Sequence, residues 1–190
     1  MIKSPYKGLS VNKWEGRTKK LVDRHPLKNC IVEMCLRTWE SILNGKINTH
    51  LNLTIKDMSI SPQAMGALLH DVISEYIIRR TKEFRKGEST EKDLVCVKNG
   101  FFSVEIKTSS QKNIYGNRSY AKSKGGKDKS GYYLAINFDK LCKDNPNPKI
   151  NLIRFGWLDY SDWKGQRSET GQQASLSKNA LRYKLMQLYP

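Results

Sequence analysis

The chain has 190 residues, enough for one domain with a single buried core. Its 34 lysines and arginines outnumber 18 aspartates and glutamates, and the resulting net charge of +16 favours a polyanionic partner, nucleic acid before a membrane surface. Four scattered cysteines and three histidines favour buried thiols over disulfides or structural zinc, and no apolar run is long enough to span a membrane. We therefore expect a cytoplasmic protein that has no contact with a membrane.

The first 85 residues of the chain are predicted to be mainly helical. A basic segment at 10–25 is expected to form a helix that ends at a proline. Residues 28–44 carry apolar side chains at intervals of three and four, which is typical of an amphipathic helix, and an Asn-Gly pair ends it. Residues 46–60 are β-prone and ambiguous. Ser61 and Pro62 then supply an N-cap and a first-turn proline for a helix over 61–85.

This third helix carries polar side chains on one side. Gly66 and His70 are four residues apart, and so are Asp71 and Glu75, so each pair lies on one face. The helix directly precedes the hairpin described next and can supply it with a further ligand. His70 is equally consistent with a packed or capping histidine, and Asp71 with a charge on the helix surface.

A hairpin is predicted after a charged loop at 84–92. Two apolar runs, 94–97 and 101–106, flank Asn99 and Gly100. Asn-Gly between β-prone runs is a strong hairpin signal, because both residues tolerate positive φ. Side chains alternate along the second strand, so Ser103, Glu105 and Lys107 share one face. The opposite face carries Phe102, Val104 and Ile106.

The polar face of this hairpin is suited to phosphodiester hydrolysis. Asp93 enters the first strand and lies near Glu105 once the hairpin closes. Two carboxylates can hold Mg²⁺, which lowers the pKa of a bound water and offsets charge on a phosphate. Lys107 can hold the water and the phosphate as a compact charge. The alternative is an ordinary hairpin with an ion pair on its exposed face, and the surplus of positive charge favours the metal site.

The stretch 107–129 is predicted to be a flexible basic loop beside this site. It contains seven basic residues and one acidic residue, Asp128. We expect it to contact phosphates and to order on DNA. Amide side chains can bond adenine in a bidentate way, which makes Gln111, Asn113 and Asn117 candidate base readers. The basic residues are Lys107, Lys112, Arg118, Lys122, Lys124, Lys127 and Lys129.

The last third of the chain is predicted to complete the sheet. Residues 132–138 form a central strand, and 150–158 form its antiparallel neighbour after a turn at 144–149. A polar loop follows at 159–171. Gln172 and Gln173 either enter a DNA groove or form a polar turn before a helix. That helix is expected over 177–188, with Leu181, Leu185 and Leu188 on one stripe.

One pattern resembles the signature of the PD-(D/E)XK nuclease superfamily. It consists of Asp93, eleven intervening residues and then Glu105-Ile106-Lys107, with Lys92 in place of the usual proline. The downstream stretches resemble type II restriction endonucleases, in particular the ScaI-like group. These stretches are Thr108-Ser109-Ser110, Asn117-Arg118-Ser119-Tyr120, the strand from Ser130 to Phe138, and Thr170-Gly171-Gln172-Gln173-Ala174.

The resemblance implies one α/β domain over 1–190, restriction-endonuclease-like, with a central mixed sheet flanked by helices. It implies Asp93 and Glu105 as metal ligands, Lys107 as the catalytic lysine, and one or two Mg²⁺ ions per active site without a small-molecule cofactor. Gly66-x-x-x-His70 fits the histidine form of a helix motif in the superfamily, and Asp71 is the carboxylate alternative. The implied activity is cleavage of double-stranded DNA at a short, palindromic site by a homodimer.

Two alternative functions remain open at this point. A junction resolvase or repair nuclease would use the same site on a structured substrate. A non-catalytic nucleic-acid-binding module would explain the charge and the basic loop. It would not require Asp93, Glu105 and Lys107 together, and carboxylates that face a phosphate without a metal would repel it.

Overall fold

The computed structural model describes residues 3–121, 129–167 and 170–190, which fold around a mixed sheet with helices against it. The helices are α1 (Trp14–Asp23), α2 (Ile31–Asn44), α3 (Pro62–Thr81) and α4 (Lys178–Tyr183). The strands are β1 (Lys46–Asn48), β2 (Leu53–Thr54), β3 (Phe84–Lys86), β4 (Leu94–Cys96), β5 (Val104–Ser109), β6 (Tyr115–Asn117), β7 (Gly131–Phe138), β8 (Ile150–Leu158), β9 (Trp163–Gly165), β10 (Gln173–Leu176) and β11 (Leu185–Tyr189). Within these residues no helix has both the length and the apolar character that a membrane crossing requires.

Six strands form the main sheet in the order β11-β8-β7-β5-β4-β3. β5 and β7 run parallel, and the other neighbours are antiparallel. Every residue of β7 is buried, as expected for a central strand covered on both faces. The structure therefore confirms the predicted α/β class, the central position of the 132–138 strand and its antiparallel pairing with β8.

Helices α2 and α3 cover one face of this sheet. Val104 and Ile106 of β5 share a hydrophobic core with Leu69 and Ile73 of α3. The predicted N-cap of α3 is confirmed, since the Ser61 hydroxyl accepts a hydrogen bond from the backbone of the first turn. The apolar periodicity of 28–44 is confirmed as well, because its repeating positions are buried in α2.

A second, three-stranded sheet in the order β6-β10-β9 covers the opposite face. Tyr120, Tyr133 and Trp163 pack together between the two sheets. This is the face on which Glu105 and Lys107 lie, so the small sheet forms a wall beside them.

The connection between β4 and β5 is longer than the predicted Asn-Gly turn. Asn99 has extended backbone, and its side chain accepts a hydrogen bond from Phe101. Residues Gly100–Phe102 form a 3₁₀ turn, and β5 begins at Val104. The two strands share one ladder pair, Leu94 with Val104. The reason is aromatic packing, since Phe101 stacks on Trp157 and this contact outweighs the local turn preference.

Helix α3 ends at Thr81, four residues before its predicted end. Lys82 adopts a left-handed conformation with φ 55° and stops the helix. The prediction of a loop from residue 84 was wrong for its first three residues, which form β3 beside β4. Burial of Phe84 in the core explains the difference, because it gives this charged segment an apolar anchor.

The C-terminal helix was predicted too long. α4 ends at Tyr183, and Leu185–Tyr189 form β11 at the edge of the main sheet against β8. Leu185 and Leu188 are therefore strand residues. Between the two elements the buried Lys184 ammonium lies 2.8 Å from Asp159 and 2.9 Å from Asp162, and this ion cluster fixes the chain where the helix stops.

The polar stretches beside the main sheet are also more ordered than predicted. Within 107–129, β5 continues to Ser109, β6 follows, and Arg118–Ala121 form a 3₁₀ turn. The loop expected at 159–171 contains the short strand β9, and Gln173 begins β10 instead of a turn before a helix. Pairing within the small sheet supplies the hydrogen bonds that these short segments lack locally.

Candidate active site

Glu105 is the centre of a buried polar cluster on β5. Its side chain is 2% exposed. Its Oε1 accepts hydrogen bonds from the Lys107 ammonium and the Tyr120 hydroxyl, each at 2.7 Å. Its Oε2 accepts one from the Lys129 ammonium at 3.0 Å. Lys107 is more exposed than Glu105, with 18% of its side chain accessible to solvent. Its ammonium therefore lies between the buried carboxylate and the solvent-exposed side of the cluster, which we call the open side.

Asp93 joins this cluster from the residue before β4. Its Oδ2 accepts a hydrogen bond from the backbone N–H of Ile106 at 2.6 Å, which ties it to the strand between Glu105 and Lys107. Nε2 of His70 lies 3.3 Å from the same oxygen. The predicted approach of Asp93 to Glu105 agrees with this arrangement, since the charge of Asp93 acts to raise the pKa of Glu105.

The surrounding charges keep both carboxylates ionised. Burial by itself would raise the pKa of Glu105, but Lys107 and the hydrogen bond from Tyr120 hold it below its ordinary value. Burial also acts to raise the pKa of Asp93, and His70, Lys107 and the Ile106 N–H lower it overall. The pKa of Tyr120 is raised by its burial and by Glu105, so its hydroxyl remains a donor.

His70 reaches the cluster because α3 packs closely on β5. The hydroxyl of Thr108 donates a hydrogen bond to the Gly66 carbonyl at 2.9 Å. A Cβ on Gly66 would lie 3.0 Å from the hydroxyl oxygen of Thr108, so glycine favours this close approach. One turn further along, His70 contacts Asp93. Its other ring nitrogen lies 3.0 Å from Asp71, whose side chain is 67% exposed. The hydrogen bond with Asp93, followed by that with Asp71, raises the pKa of His70.

The donor set of this cluster fits a hard, oxygen-preferring cation. The described residues contain no group of three or more metal-ligating side chains that would enclose an ion. Mg²⁺ needs less, because it keeps several waters and is commonly held by one or two carboxylates together with substrate phosphate. Both contacts described for the Asp93 carboxylate fall on Oδ2. This leaves Asp93 Oδ1 as a position for a cation. On Glu105, Oε1 accepts two hydrogen bonds and Oε2 accepts one, so one lone pair of Oε2 is the second position.

The structure brings several predicted DNA-contacting residues together on the small sheet. Asn117 of β6 pairs with Gln173 of β10, and both are exposed. The backbone N–H of Arg118 donates to the Gln172 carbonyl at 2.7 Å, and its guanidinium donates to Gly171 at 3.2 Å. These residues are far apart in sequence and form one polar edge, which we call the amide edge. It consists of Asn117, Arg118, Gln172 and Gln173.

The other predicted DNA contacts lie elsewhere. Lys112 and Asn113 are exposed on the connection from β5 to β6. Asn137 of β7 donates to the Gln111 carbonyl at 2.6 Å and accepts from the buried Arg154 at 2.9 Å, so this connection is anchored to the main sheet. Lys122 and Lys124 lie outside the described residues.

Sequence reasoning missed two residues of the cluster, Tyr120 and Lys129. Lys129 was counted as part of a flexible basic loop, yet its side chain is 8% exposed and directed at Glu105. One available signal was its position two residues before the fully buried strand β7. Tyr120 had no comparable signal, because its approach depends on the packing of the small sheet.

Comparisons with known proteins point to restriction endonucleases. The model of the ScaI restriction endonuclease family matches residues 4–189. The type II restriction enzyme ScaI of Streptomyces caespitosus is 41% identical over 183 residues, which cover 91% of this chain and 79% of that protein. A crystal structure of the tetrameric restriction endonuclease SfiI bound to cognate DNA superposes with a TM-score of 0.50 over 100% of this chain and 89% of that chain. At 11% identity, this last likeness concerns the fold alone.

Proposed function

The chain belongs to the ScaI restriction endonuclease family, and from this premise we propose that it is a Mg²⁺-dependent type II enzyme that cuts double-stranded DNA at a short palindromic site. The observation that carries the proposal is the meeting of Asp93, Glu105 and Lys107 at one end of β5. Asp93 accepts a hydrogen bond from the backbone of Ile106, and Glu105 accepts one from the ammonium of Lys107. A surface ion pair would not require a carboxylate that is almost completely buried.

We assign the metal to Asp93 and Glu105. When bound there, Mg²⁺ would lower the pKa of a coordinated water and offset charge on the scissile phosphate. His70 lies against Asp93, and Asp71 against His70, so their first role in this proposal is to orient Asp93. Direct ligation by His70 or Asp71 stays a prediction.

Lys107 is the proposed catalytic lysine. Its ammonium lies 2.7 Å from Glu105 and is the more exposed of the two lysines on that carboxylate, so it can reach a phosphate and an attacking water from the open side. A compact ammonium with three donors can hold both at once. Tyr120 fixes the other donor position on Glu105 Oε1 and stays protonated, so it orients the carboxylate without exchanging a proton with it.

The amide edge is the proposed base-reading surface, and Lys112 and Asn113 are the proposed contacts to the DNA beside it. Side-chain amides suit adenine in the major groove, and Arg118 suits guanine or phosphate. We also propose that the enzyme is a homodimer, because a two-fold symmetric dimer presents two active sites to the two strands of a palindrome.

The first test is incubation of the purified protein with bacteriophage DNA, with and without Mg²⁺. The Lys107→Ala variant is run beside the wild type. Lys98→Ala is the matched control, because Lys98 pairs with Glu83 on the surface and its loss lowers the net charge by the same amount. The proposal requires discrete fragments that depend on Mg²⁺ and disappear only in Lys107→Ala. Sequencing of the ends then gives the site and the cut position.

Other outcomes select the other functions. A smear with the same metal dependence, or preferential cutting of a branched substrate, would replace the restriction enzyme with a repair nuclease or a resolvase. Intact DNA that shifts on a native gel would indicate a binding module. Light scattering with and without DNA measures the number of subunits.

A further inference from the structure

Two lysines hold the Glu105 carboxylate, and only Lys107 belongs to the motif. Lys129 reaches Glu105 from the segment before β7, through a 3.0 Å contact with Oε2. This is the oxygen of Glu105 that retains an open lone pair, since Oε1 already accepts from both Lys107 and Tyr120. Lys129 is therefore the cation next to the position that this carboxylate offers to a metal.

Hydrogen bonds at its ammonium and at its backbone carbonyl hold Lys129 in this position. Its ammonium also donates to the backbone carbonyl of Glu91, two residues before Asp93. Its own carbonyl accepts a hydrogen bond from the Lys92 ammonium at 2.7 Å. These reciprocal contacts tie the segment that carries Asp93 to the segment before β7. With its side chain 8% exposed, Lys129 has little freedom to leave the cluster for solvent.

The charges of the two carboxylates and the two lysines balance without a metal. Asp93 and Glu105 contribute two negative charges, and Lys107 and Lys129 contribute two positive charges. A divalent cation added to this cluster brings a net charge of +2 into a poorly solvated site, where like charges repel strongly. A DNA phosphate at the open side compensates part of that charge.

We propose that Lys129 is an internal counter-ion that keeps metal binding weak until DNA is bound, and this inference rests on the function proposed above. Lys129 is a positioning residue, since it acts through Glu105. It holds the two carboxylate segments together in the absence of metal and opposes a divalent ion at Oε2. The site then takes up its metal together with the substrate phosphate, which by linkage makes each one strengthen the binding of the other.

The test is calorimetric titration of Ca²⁺ into the full-length protein without DNA. Ca²⁺ is an oxygen-preferring ion of the same charge as Mg²⁺. Lys129→Met removes the charge and keeps most of the side-chain volume, whereas Lys129→Arg keeps the charge. Lys98→Met, which breaks a surface pair with Glu83, is the control for net charge. We expect Lys129→Met to bind Ca²⁺ at least about fivefold more tightly than the wild type, and the other two variants within about twofold of it.

A folded Lys129→Met variant that binds Ca²⁺ no more tightly than the wild type would overturn the proposal and leave Lys129 a purely structural role. If this variant does not fold, Lys129→Gln, which also removes the charge, takes its place in the same comparison. The proposal requires cognate duplex to raise Ca²⁺ affinity by at least about tenfold, and equal affinity with and without duplex would refute it. If the wild type cuts no DNA, the proposed function fails, while the comparison without DNA still measures the effect of the Lys129 charge.

Discussion

Replacement of Glu105 by glutamine is expected to destabilise the protein as well as abolish cleavage. Glu105 is buried and accepts three hydrogen bonds, two of them from ammonium groups that are themselves mostly buried. Loss of one partner from a buried ion pair typically costs about 3–5 kcal/mol, because the remaining charge is left without compensation. The glutamine amide adds a second difficulty, since its NH₂ group must face one of the three donors.

Asp93→Asn is the matched comparison for this prediction. Its side-chain oxygen can still accept the Ile106 N–H, and its contact with His70 is longer, at 3.3 Å. We therefore expect it to cost only about 1 kcal/mol, although it also abolishes cleavage. Urea unfolding in the presence of EDTA measures both free energies without a contribution from metal. If Glu105→Gln proves as stable as the wild type, the two lysines do not depend on this carboxylate and the reasoning is wrong.

Three further predictions concern the core, the helix and the small sheet. Burial lowers the pKa of His25 to about 4, and its neutral ring donates from Nε2 to Phe102 and accepts at Nδ1 from Leu27. The native state thus binds fewer protons than the unfolded state between pH 6.5 and pH 4, so stability falls by roughly 3 kcal/mol as the pH drops through this window. Unfolding at several pH values should show a loss that is smaller by about this amount in His25→Phe than in the wild type. Gly66→Val should push α3 away from Thr108, lowering stability by about 1–3 kcal/mol and slowing cleavage, whereas Gly16→Val on α1, where a Cβ has open space, should leave cleavage unchanged. Arg118→Ala should weaken binding of cognate DNA by about 1–3 kcal/mol, measured by fluorescence anisotropy in Ca²⁺. An unchanged affinity would remove Arg118 from the proposed base-reading surface.

Local signals in the sequence were sufficient where neighbouring residues decide the structure. Helical spacing predicted α2, and the Ser61 cap with Pro62 predicted α3 and where it begins. Strand alternation predicted that Glu105 and Lys107 share a face opposite Ile106. This holds because the side-chain periods of helices and strands are properties of the backbone and depend little on distant contacts.

Element ends depended on distant contacts instead. The Asn99-Gly100 pair has a strong preference for a tight turn, yet the packing of Phe101 on Trp157 decides the connection. The residues after Tyr183 have helical spacing, yet they form β11 because β8 offers an edge to pair with. Pairing and aromatic burial involve more free energy than the local preferences they replaced.

By itself, the sequence determined the α/β class, the faces of β5 and the spacing of Asp93, Glu105 and Lys107 along the chain. Only the tertiary structure decided which other groups surround Glu105. Tyr120 and Lys129 reach it from separate segments, one carried by the small sheet and the other held by the residues around Lys92. The position of Tyr120 follows from the packing of one sheet on another, and that of Lys129 from contacts with the segment before β4. No local pattern encodes the distance between side chains that only folding brings together.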